Sequence, residues 1–441
     1  MLRKDLDDLA RLARGTRLAL RAGPSAALAA LTYAAFGVFG LTVVLVSAEP
    51  LHRLWGGCAA AGYGCAALAC LALARLLPAR RCRDIALAAA VGGAVVVPLC
   101  WLAAAGRGMP EVGVVAHSAQ LLVAHGRPYE SAARLGADVY GYNPYLPGMT
   151  LLGLPRALFG DGLATDPRIW DGLVFVAAFA AALRVAGVAG IAAGRRTTAL
   201  AGSPLIAFPL AVSGNDLPVI GLICLGLALA ARRGPRCPAW AGVVLGAACT
   251  LKATAWPALL IVGVLIGVRD HRRAAARFAG AAAAVLAVLV GPFLLLQPAD
   301  LATNTIAFPL GLTRAHSPAA SPLPGHLVAA TGPVGHLVVV VLLAATAIAL
   351  GVLLATRPPR TAVAAAGYLA LALTALFTLA PATRWGYFVY PAAIGCWLWL
   401  SGLPKCQLTG RGRPGNVPRP PGAGGLSCAP RGSLPLTSQV S

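Results

Sequence analysis

The sequence predicts an all-α integral membrane protein with about twelve membrane-spanning helices (10–13). The 441-residue chain has a mean hydropathy of +0.77, and only 11% of its residues are charged. About twelve apolar runs alternate with clusters of arginine along the chain. If the N-terminus lies in the cytoplasm, about three quarters of the 36 Lys and Arg fall on the inner side, as the positive-inside rule requires.

The formal net charge of +22 therefore belongs mainly to the cytoplasmic loops and indicates no nucleic-acid partner. The outer side keeps nearly equal numbers of basic and acidic residues in this topology. No GxxxxGK[ST] motif and no strand–GxGxxG–helix unit occurs, and no soluble segment is long enough to hold a nucleotide fold. A chemical site would have to be built from the polar residues of the outer loops.

Each span is predicted from an apolar run long enough, alone or with its neighbour, to cross a bilayer. The predicted spans are 26–47, 56–75, 84–105, 169–190, 197–213, 216–231, 238–252, 254–268, 278–297, 335–356, 361–380 and 386–401. The two pairs within 197–231 and 238–268 are short, so each pair is either two tilted helices or one broken segment. Both chain termini are expected in the cytoplasm.

Four regions follow from composition. Residues 1–22 form a predicted amphipathic helix on the inner membrane surface, and residues 23–105 hold three spans. Residues 106–401 form the module that carries the site. Residues 402–441 are rich in Gly, Pro, Arg and Ser, which predicts a disordered cytoplasmic tail.

Two outer loops, 106–168 and 298–334, are longer than usual, which favours a functional role. Within the first, residues 146–160 are apolar but too short to cross, and we predict an outer-surface or re-entrant helix. The second loop contributes Arg314, His316 and His326 among prolines, and we predict that it covers the site.

The first outer loop opens with a predicted helix between Pro110 and Gly126. At 100° per residue, Glu111 falls on the apolar stripe of this helix with Val115 and Ser118. Burial there would suit Glu111 to general-base catalysis. The alternative is that Glu111 only favours the positive N-terminal end of the helix.

Two further segments carry polar and aromatic residues. Tyr142 and Tyr145 lie in YGYNPYLPG, where rigid aromatic faces suit a sugar ring or a prenyl chain, although an interfacial aromatic belt has the same composition. Asn215 and Asp216 lie between two apolar runs. An acid at that place is a functional candidate, or the N-cap of the following helix.

Two cations complete the candidates. Lys252 interrupts an apolar stretch, and Arg384 precedes Tyr387 at the start of the last span. Both suit phosphate oxygens. Otherwise Lys252 extends to the membrane interface and Arg384 contacts a phospholipid headgroup. The cysteines show no metal-ligand spacing, so no metal and no cofactor is predicted.

These segments resemble the polytopic GT-C glycosyltransferases and, within them, glycosyltransferase family 87, the polyprenol-phosphate-mannose-dependent transferases. The likeness covers about residues 107–400 and rests on short motifs. They are the loop acid Glu111 (usually Asp in the family), GRPY, YNPYLPG, GNDLP, AGVVLGAACTLKATAWPALL and ATRWGYFVYP.

The resemblance implies a bacterial plasma-membrane enzyme that moves a sugar from a polyprenyl-phosphate donor to an envelope lipid or glycan at the outer face. Glu111 would act as the base, and Lys252 with Arg384 would stabilise the departing phosphate. The residues expected to bind the sugar or the acceptor are Asp216, Asn215, Tyr142, Tyr145 and Tyr387.

Two other functions fit the same sequence. A lipid or small-molecule transporter or flippase would use broken helices near 213–218 and 252 for binding without chemistry. A non-catalytic membrane scaffold would present its outer loops to a partner. The scaffold predicts an exposed Glu111 with no connection to Lys252 and Arg384. The sequence does not predict the oligomeric state.

Overall fold

The computed structural model describes residues 24–131, 133–136, 138–315 and 317–403. The regular structure in these residues is helical, and no β-strand forms apart from one isolated bridge, Ala320 to Thr383. The predicted all-α class is therefore confirmed. The predicted surface helix at 1–22, nearly all of the predicted tail and His316 lie outside the described residues.

The α-helices are numbered here in chain order. They are α1 Pro24–Val46, α2 Pro50–Ala72, α3 Ala79–Val91, α4 Val97–Ala104, α5 Pro110–His125, α6 Pro147–Phe159, α7 Pro167–Val185, α8 Gly190–Ala201, α9 Pro204–Val212, α10 Leu217–Ala231, α11 Cys237–Leu251, α12 Trp256–Arg269, α13 Arg272–Leu289, α14 Gly291–Leu296, α15 Pro298–Ala302, α16 Pro324–Ala329, α17 Pro333–Thr356, α18 Ala362–Leu379 and α19 Val389–Ser401.

The predicted number of about twelve spans is not confirmed. Among the described residues, five helical segments are long and apolar enough to cross a membrane: Ser25–Val46, Pro50–Arg75, Ala79–Ala104, Pro333–Thr356 and Ala362–Leu379. The helices α10 and α11 are apolar but only 15 residues long. The helices α7 and α13 are longer but carry charged residues near their ends.

Both short predicted pairs are interrupted. The first, 197–231, divides into α8, α9 and α10, and α9 is separated from α10 by residues 213–216. Gly214 has φ +81°, a conformation that favours glycine and ends the helical path. In the second pair, Lys252 is extended (φ −154°) between α11 and a 3₁₀ turn, Ala253–Ala255. Both breaks therefore fall at candidate site residues.

Glycines allow the backbones of the central helices to approach each other closely. A Cβ on Gly221 of α10 would lie 3.1 Å from the Phe175 backbone of α7, and one on Gly242 of α11 would lie 2.2 Å from the Phe278 carbonyl of α13. Small residues at helix crossings give the large contact area that stabilises bundles in membranes. This central bundle holds the largest buried apolar cluster.

The three N-terminal spans form a second apolar cluster with residues of α9. The helices α2 and α3–α4 meet at Gly62 and Gly93, where a Cβ on either residue would overlap the other backbone. A π-helical turn, Gly92–Val96, separates α3 from α4 at this crossing. The N-terminal spans are therefore fixed against the module that carries the candidate site.

The predicted helix at 110–126 forms as α5, which ends at Gly126 in the left-handed conformation (φ +67°). A helix also forms in 146–160, as α6. These two helices pack together at Gly153, where a Cβ would lie 2.4 Å from the Val115 carbonyl oxygen. A hydrogen bond of 2.7 Å joins the Ser118 and Thr150 hydroxyls across the same contact.

Candidate active site

Four charged side chains from distant parts of the chain form two ion pairs. Glu111, in the first turn of α5, accepts a hydrogen bond from Arg384, 273 residues later. Lys252, after α11, donates to Asp216, before α10, over 2.5 Å. The four side chains retain between 12% and 28% of their exposure, so both pairs are largely shielded but still accessible.

Glu111 uses only one of its carboxylate oxygens. Its Oε1 accepts from Arg384, whereas Oε2 is buried and has no hydrogen-bond partner among the described residues. An unsatisfied buried acceptor is costly and is uncommon away from functional sites. Because Glu111 pairs with Arg384, its carboxylate does more than favour the positive N-terminal end of α5.

The second pair belongs to a hydrogen-bonded chain. Tyr390 donates to Asp216 Oδ1 over 2.7 Å, and Thr254 donates to the Tyr390 hydroxyl over 3.0 Å. Asp216 precedes α10 but makes no side-chain cap bond to it. Lys252 is likewise directed to Asp216. In the structure, therefore, Asp216 does not cap α10, and Lys252 binds Asp216 and does not extend to the membrane interface.

Tyr145 and Tyr387 flank the lysine. The Lys252 Nζ atom lies 5.4 Å from the ring centre of Tyr145 and 5.0 Å from that of Tyr387, within cation–π range. The Asn215 amide donates to the Tyr145 hydroxyl over 2.6 Å. Burial raises the pKa of Tyr145 well above its ordinary value, and the charges of Glu111 and Asp216 raise it further. The phenol therefore stays neutral beside both acids.

The backbone around Tyr145 is fixed by the loop itself and by α11. Its carbonyl accepts from the Tyr129 hydroxyl over 2.9 Å, and its N–H donates to Asn143 Oδ1 over 3.0 Å. The N–H of the next residue, Leu146, donates to the Leu251 carbonyl over 3.0 Å. Because Leu251 directly precedes Lys252, the aromatic wall and the lysine are positioned by the same contact.

The second outer loop positions Arg384. Residues 319–321 pair with Thr383, whose N–H donates to the Ala319 carbonyl over 2.8 Å and whose carbonyl accepts from Ser321 over 2.9 Å. His326 contacts the Pro381 carbonyl at 2.9 Å. The loop thus holds the extended segment before the last helix. Its predicted role as a cover over the site stays a prediction.

The electrostatic surroundings keep Arg384 charged. Burial alone would lower the pKa of its guanidinium. The charge and hydrogen bond of Glu111, together with the phenols of Tyr387 and Tyr145, outweigh burial and raise this pKa above its ordinary value. Arg384 is therefore a permanent cation with Glu111 as its counter-ion.

The structure places Tyr142 differently from the expectation that it contacts a sugar. Its ring is buried and stacks on Phe308 of the second outer loop, with 4.6 Å between ring centres and 16° between planes. Its hydroxyl donates to the Gly136 carbonyl over 3.2 Å. The stacking joins the two outer loops, whereas the hydrogen bond lies within the first, and together these contacts hold the Tyr142 ring outside the charged cluster.

Sequence reasoning missed three features near the site. Tyr390 follows Tyr387 by three residues, a spacing that could have indicated a shared helical face. Asp166 and Arg168 form a buried two-point ion pair, and no pattern in the sequence predicted their burial. Asp171 is also buried, and neither of its oxygens has a hydrogen-bond partner among the described residues.

No group of three His, Cys, Asp or Glu that could hold a metal ion occurs in the part of the chain that the structure describes. The site instead offers two acids, two cations and three phenols. Such a set can accept a proton at Glu111, bind a phosphate between Lys252 and Arg384, and contact a ring with Tyr145 and Tyr387.

Comparison with a crystal structure of ArnT from Cupriavidus metallidurans bound to undecaprenyl phosphate gives 19% sequence identity and a TM-score of 0.46. The alignment covers 71% of this chain and 59% of that one, so this chain spans about three fifths of the length of ArnT. A search of curated proteins finds no match.

The model of glycosyltransferase family 87 matches residues 143–381, more than half of the chain. The matched range includes Tyr145, both members of the Lys252–Asp216 pair and the second outer loop. Glu111 and Arg384 flank it on either side, and the fold brings them into contact. The match confirms the resemblance found in the sequence: this polytopic membrane protein belongs to glycosyltransferase family 87.

Proposed function

We propose that the protein transfers a sugar from a polyprenyl-phosphate donor to a hydroxyl group of an envelope lipid or glycan, at the outer face of a bacterial plasma membrane. The observation that carries this proposal is that two acid–cation pairs, Glu111–Arg384 and Asp216–Lys252, both act on the same side chain, Tyr145. A lipid-linked donor is anionic and lies in the membrane, so the enzyme needs cations and no nucleotide fold.

In the proposed reaction, the acceptor hydroxyl oxygen attacks the anomeric carbon of the donor sugar. The bond from that carbon to the phosphate oxygen breaks, and polyprenyl phosphate leaves with the electron pair. The acceptor proton passes to Glu111. The free Oε2 atom of Glu111 supports this role, because it has an unused acceptor position beside the cations.

Both cations are occupied by acids before the donor binds. The donor phosphate must therefore replace Glu111 as the partner of Arg384, or Asp216 as the partner of Lys252, or share these cations. We infer that Arg384 moves from Glu111 towards the phosphate, which would release the carboxylate as a base only when the donor is present. Lys252 stabilises the charge on the leaving phosphate, a large term in such reactions.

The sugar is proposed to lie against the Tyr145 and Tyr387 rings, which flank Lys252. Asp216 and Asn215 would bind its hydroxyl groups, and Tyr142 would act through the loop contact with Phe308. The sugar is a hexose or pentose, with mannose the first candidate because of the family resemblance. We propose no cofactor and no divalent metal.

The test uses purified protein, polyprenyl-phosphate mannose with a radiolabelled sugar, and envelope glycolipid acceptors. Glu111→Gln should lower the transfer rate by about 10²–10⁴-fold, the range for loss of a general base. Glu111→Asp should keep part of the activity, because the family usually has Asp at this place. Glu130→Gln is the matched control, since Glu130 is an outer-loop acid whose ion-pair partner among the described residues is His117. Full activity of Glu111→Gln would remove the assignment.

Transport of a lipid is the second candidate, and the helix breaks at 213–216 and 252–255 favour it. A flippase would move a fluorescent polyprenyl phosphate across liposomes without consuming a donor sugar. Lipid movement with no transfer in the wild-type protein would replace the transferase by this function. The scaffold alternative predicted an exposed Glu111, whereas Glu111 is in a partly buried ion pair.

A further inference from the structure

The N-terminal spans reach the candidate active site at their outer ends. Met109, which precedes Glu111 by two residues, packs against the apolar cluster that these spans form with α9. Its N–H donates to the Val212 carbonyl at the end of α9 over 2.9 Å. Trp55 of α2 is fully buried in the same cluster, and its indole N–H donates to the Ala94 carbonyl over 2.8 Å. The start of α5 is therefore joined to the N-terminal spans through this cluster.

His52 lies at this junction, in the first turn of α2. Its ring centre is 4.9 Å from that of Phe208, with 75° between the planes, an edge-to-face contact. Phe208 precedes Val212 by one turn of α9, so His52 is close to the hydrogen bond that leads into α5. Nδ1 of His52 is 3.1 Å from Ser47 Oγ, whereas Nε2 forms no hydrogen bond with the residues that the structure describes. The ring is thus oriented with one nitrogen left for a proton.

The His52 ring is also within electrostatic range of the candidate active site. The charges of both Glu111 and Arg384 act on the ring, and so does the charge of Glu49 in the turn before α2. Glu49 is exposed, and Arg53 donates from Nε to a backbone carbonyl of the same turn over 2.6 Å. A change of charge at Glu111 therefore changes the electrostatic potential at His52, although no direct hydrogen bond joins the two side chains.

The proposed reaction leaves a proton on Glu111 after each transfer, and this proton must depart before the carboxylate can act as a base again. The Glu111 side chain is 21% exposed, and its Oε2 is buried with no hydrogen-bond partner among the described residues. Direct release of the proton to bulk water is therefore restricted. An imidazole can accept and release a proton near neutral pH, because its ordinary pKa is about 6.5.

We propose that His52 relays this proton from Glu111 to the outer surface. The O–H bond of protonated Glu111 breaks, and a proton passes through an intervening water molecule to His52 Nε2. The imidazolium then gives a proton to water beside the exposed Glu49, which restores the neutral ring. This inference rests on the proposed function, since the proton comes from the acceptor hydroxyl. His52 acts through Glu111 without contacting a substrate, and the N-terminal spans thereby take part in the reaction.

The test measures transfer by the full-length protein, with polyprenyl-phosphate mannose and envelope glycolipid acceptors, as a function of pH. His52→Gln should lower kcat by about 10²-fold, the lower end of the range for proton transfer by a side chain, and leave KM for donor and acceptor unchanged. His125→Gln is the matched control, because His125 is an exposed histidine at the other end of α5. The control should keep the wild-type kcat.

The pH profile separates a proton relay from packing. His52 accepts a proton only when its ring is neutral, so the wild-type kcat should fall below about pH 6.5. His52→Gln should lose this acidic limb and keep its slower rate down to the lower pH at which Glu111 is protonated. Loss of the contact with Phe208 alone would lower kcat equally at every pH and leave the limb in place.

Free imidazole gives a second measurement that a structural role would not change. His52→Ala removes the ring and leaves space beside Phe208, so imidazole in the buffer should restore part of the lost kcat in proportion to its concentration. The same imidazole should not activate Glu111→Gln, because the relay acts only on a proton that Glu111 has accepted.

Three results would overturn the relay. The first is a wild-type kcat in His52→Gln across the pH range. A retained acidic limb in His52→Gln, or a failure of imidazole to restore His52→Ala, would instead assign His52 to packing. If wild type transfers no sugar, the proposed function fails and the relay fails with it. If wild type transfers and His52→Gln is unaffected, the relay alone fails and the proposed function stands.

Discussion

Replacing Lys252 separates a structural role of its ion pair from a chemical one. The Lys252 and Asp216 side chains are 12% and 16% exposed and lie in direct contact. At an effective dielectric constant near 20, two unit charges about 4 Å apart attract by about 4 kcal/mol. Breaking a buried pair by removing one partner costs about 3–5 kcal/mol, and residual solvent access reduces this to about 2–3 kcal/mol here.

Lys252→Gln and Asp216→Asn should therefore each destabilise the protein by about 2–3 kcal/mol. The double variant Lys252→Gln/Asp216→Asn removes both charges and leaves two amides that can hydrogen-bond, so it should recover most of that loss. Thermal unfolding in detergent, followed by tryptophan fluorescence, measures these changes.

Transfer activity should not follow stability. All variants without Lys252 lose the cation that stabilises the departing phosphate, so their rates should fall by about 10²–10³-fold. The double variant should be stable and inactive. If it regained both stability and transfer, Lys252 would serve only to neutralise Asp216, and its assignment to the phosphate would be refuted.

The remaining predictions concern the aromatic wall. Tyr145→Phe keeps the ring beside Lys252 but removes the hydrogen bond from Asn215, and kcat/KM for transfer should fall by about three- to tenfold. Gly148→Ala should destabilise by about 1–3 kcal/mol in thermal unfolding, since its Cβ would lie 2.2 Å from Thr250 Oγ1. Gly280→Ala is its control, because a Cβ there meets nothing within 4 Å; equal stability of both variants would contradict the close contact.

Much of the fold was predictable because the relevant signals are local. Pro110 and Gly126 marked the ends of α5, and the structure has the helix from Pro110 to His125 with Gly126 in the left-handed conformation. The helix breaks were anticipated only as alternatives for 197–231 and 238–268. The number of spans is not confirmed, because apolar composition does not distinguish a crossing helix from a short buried one.

The candidate site was only partly predictable. Its charged residues were recognised from residue type and position, but nothing in the sequence assigned Arg384 to Glu111 or Lys252 to Asp216. Tyr142 was expected at the site, whereas stacking on Phe308 directs its ring elsewhere. The partner of each of these side chains depends on which distant segments of the chain pack together.

The sequence by itself determined the class of protein, since burying so much apolar side-chain surface with so little charge is favourable only in a bilayer. It also supplied the acids, cations and phenols of the candidate site. The tertiary structure decided their pairing, because ion pairs and stacked rings act over a few ångströms, whereas Glu111 and Arg384 are 273 residues apart in the chain. Contact between them required the helices and outer loops to pack first.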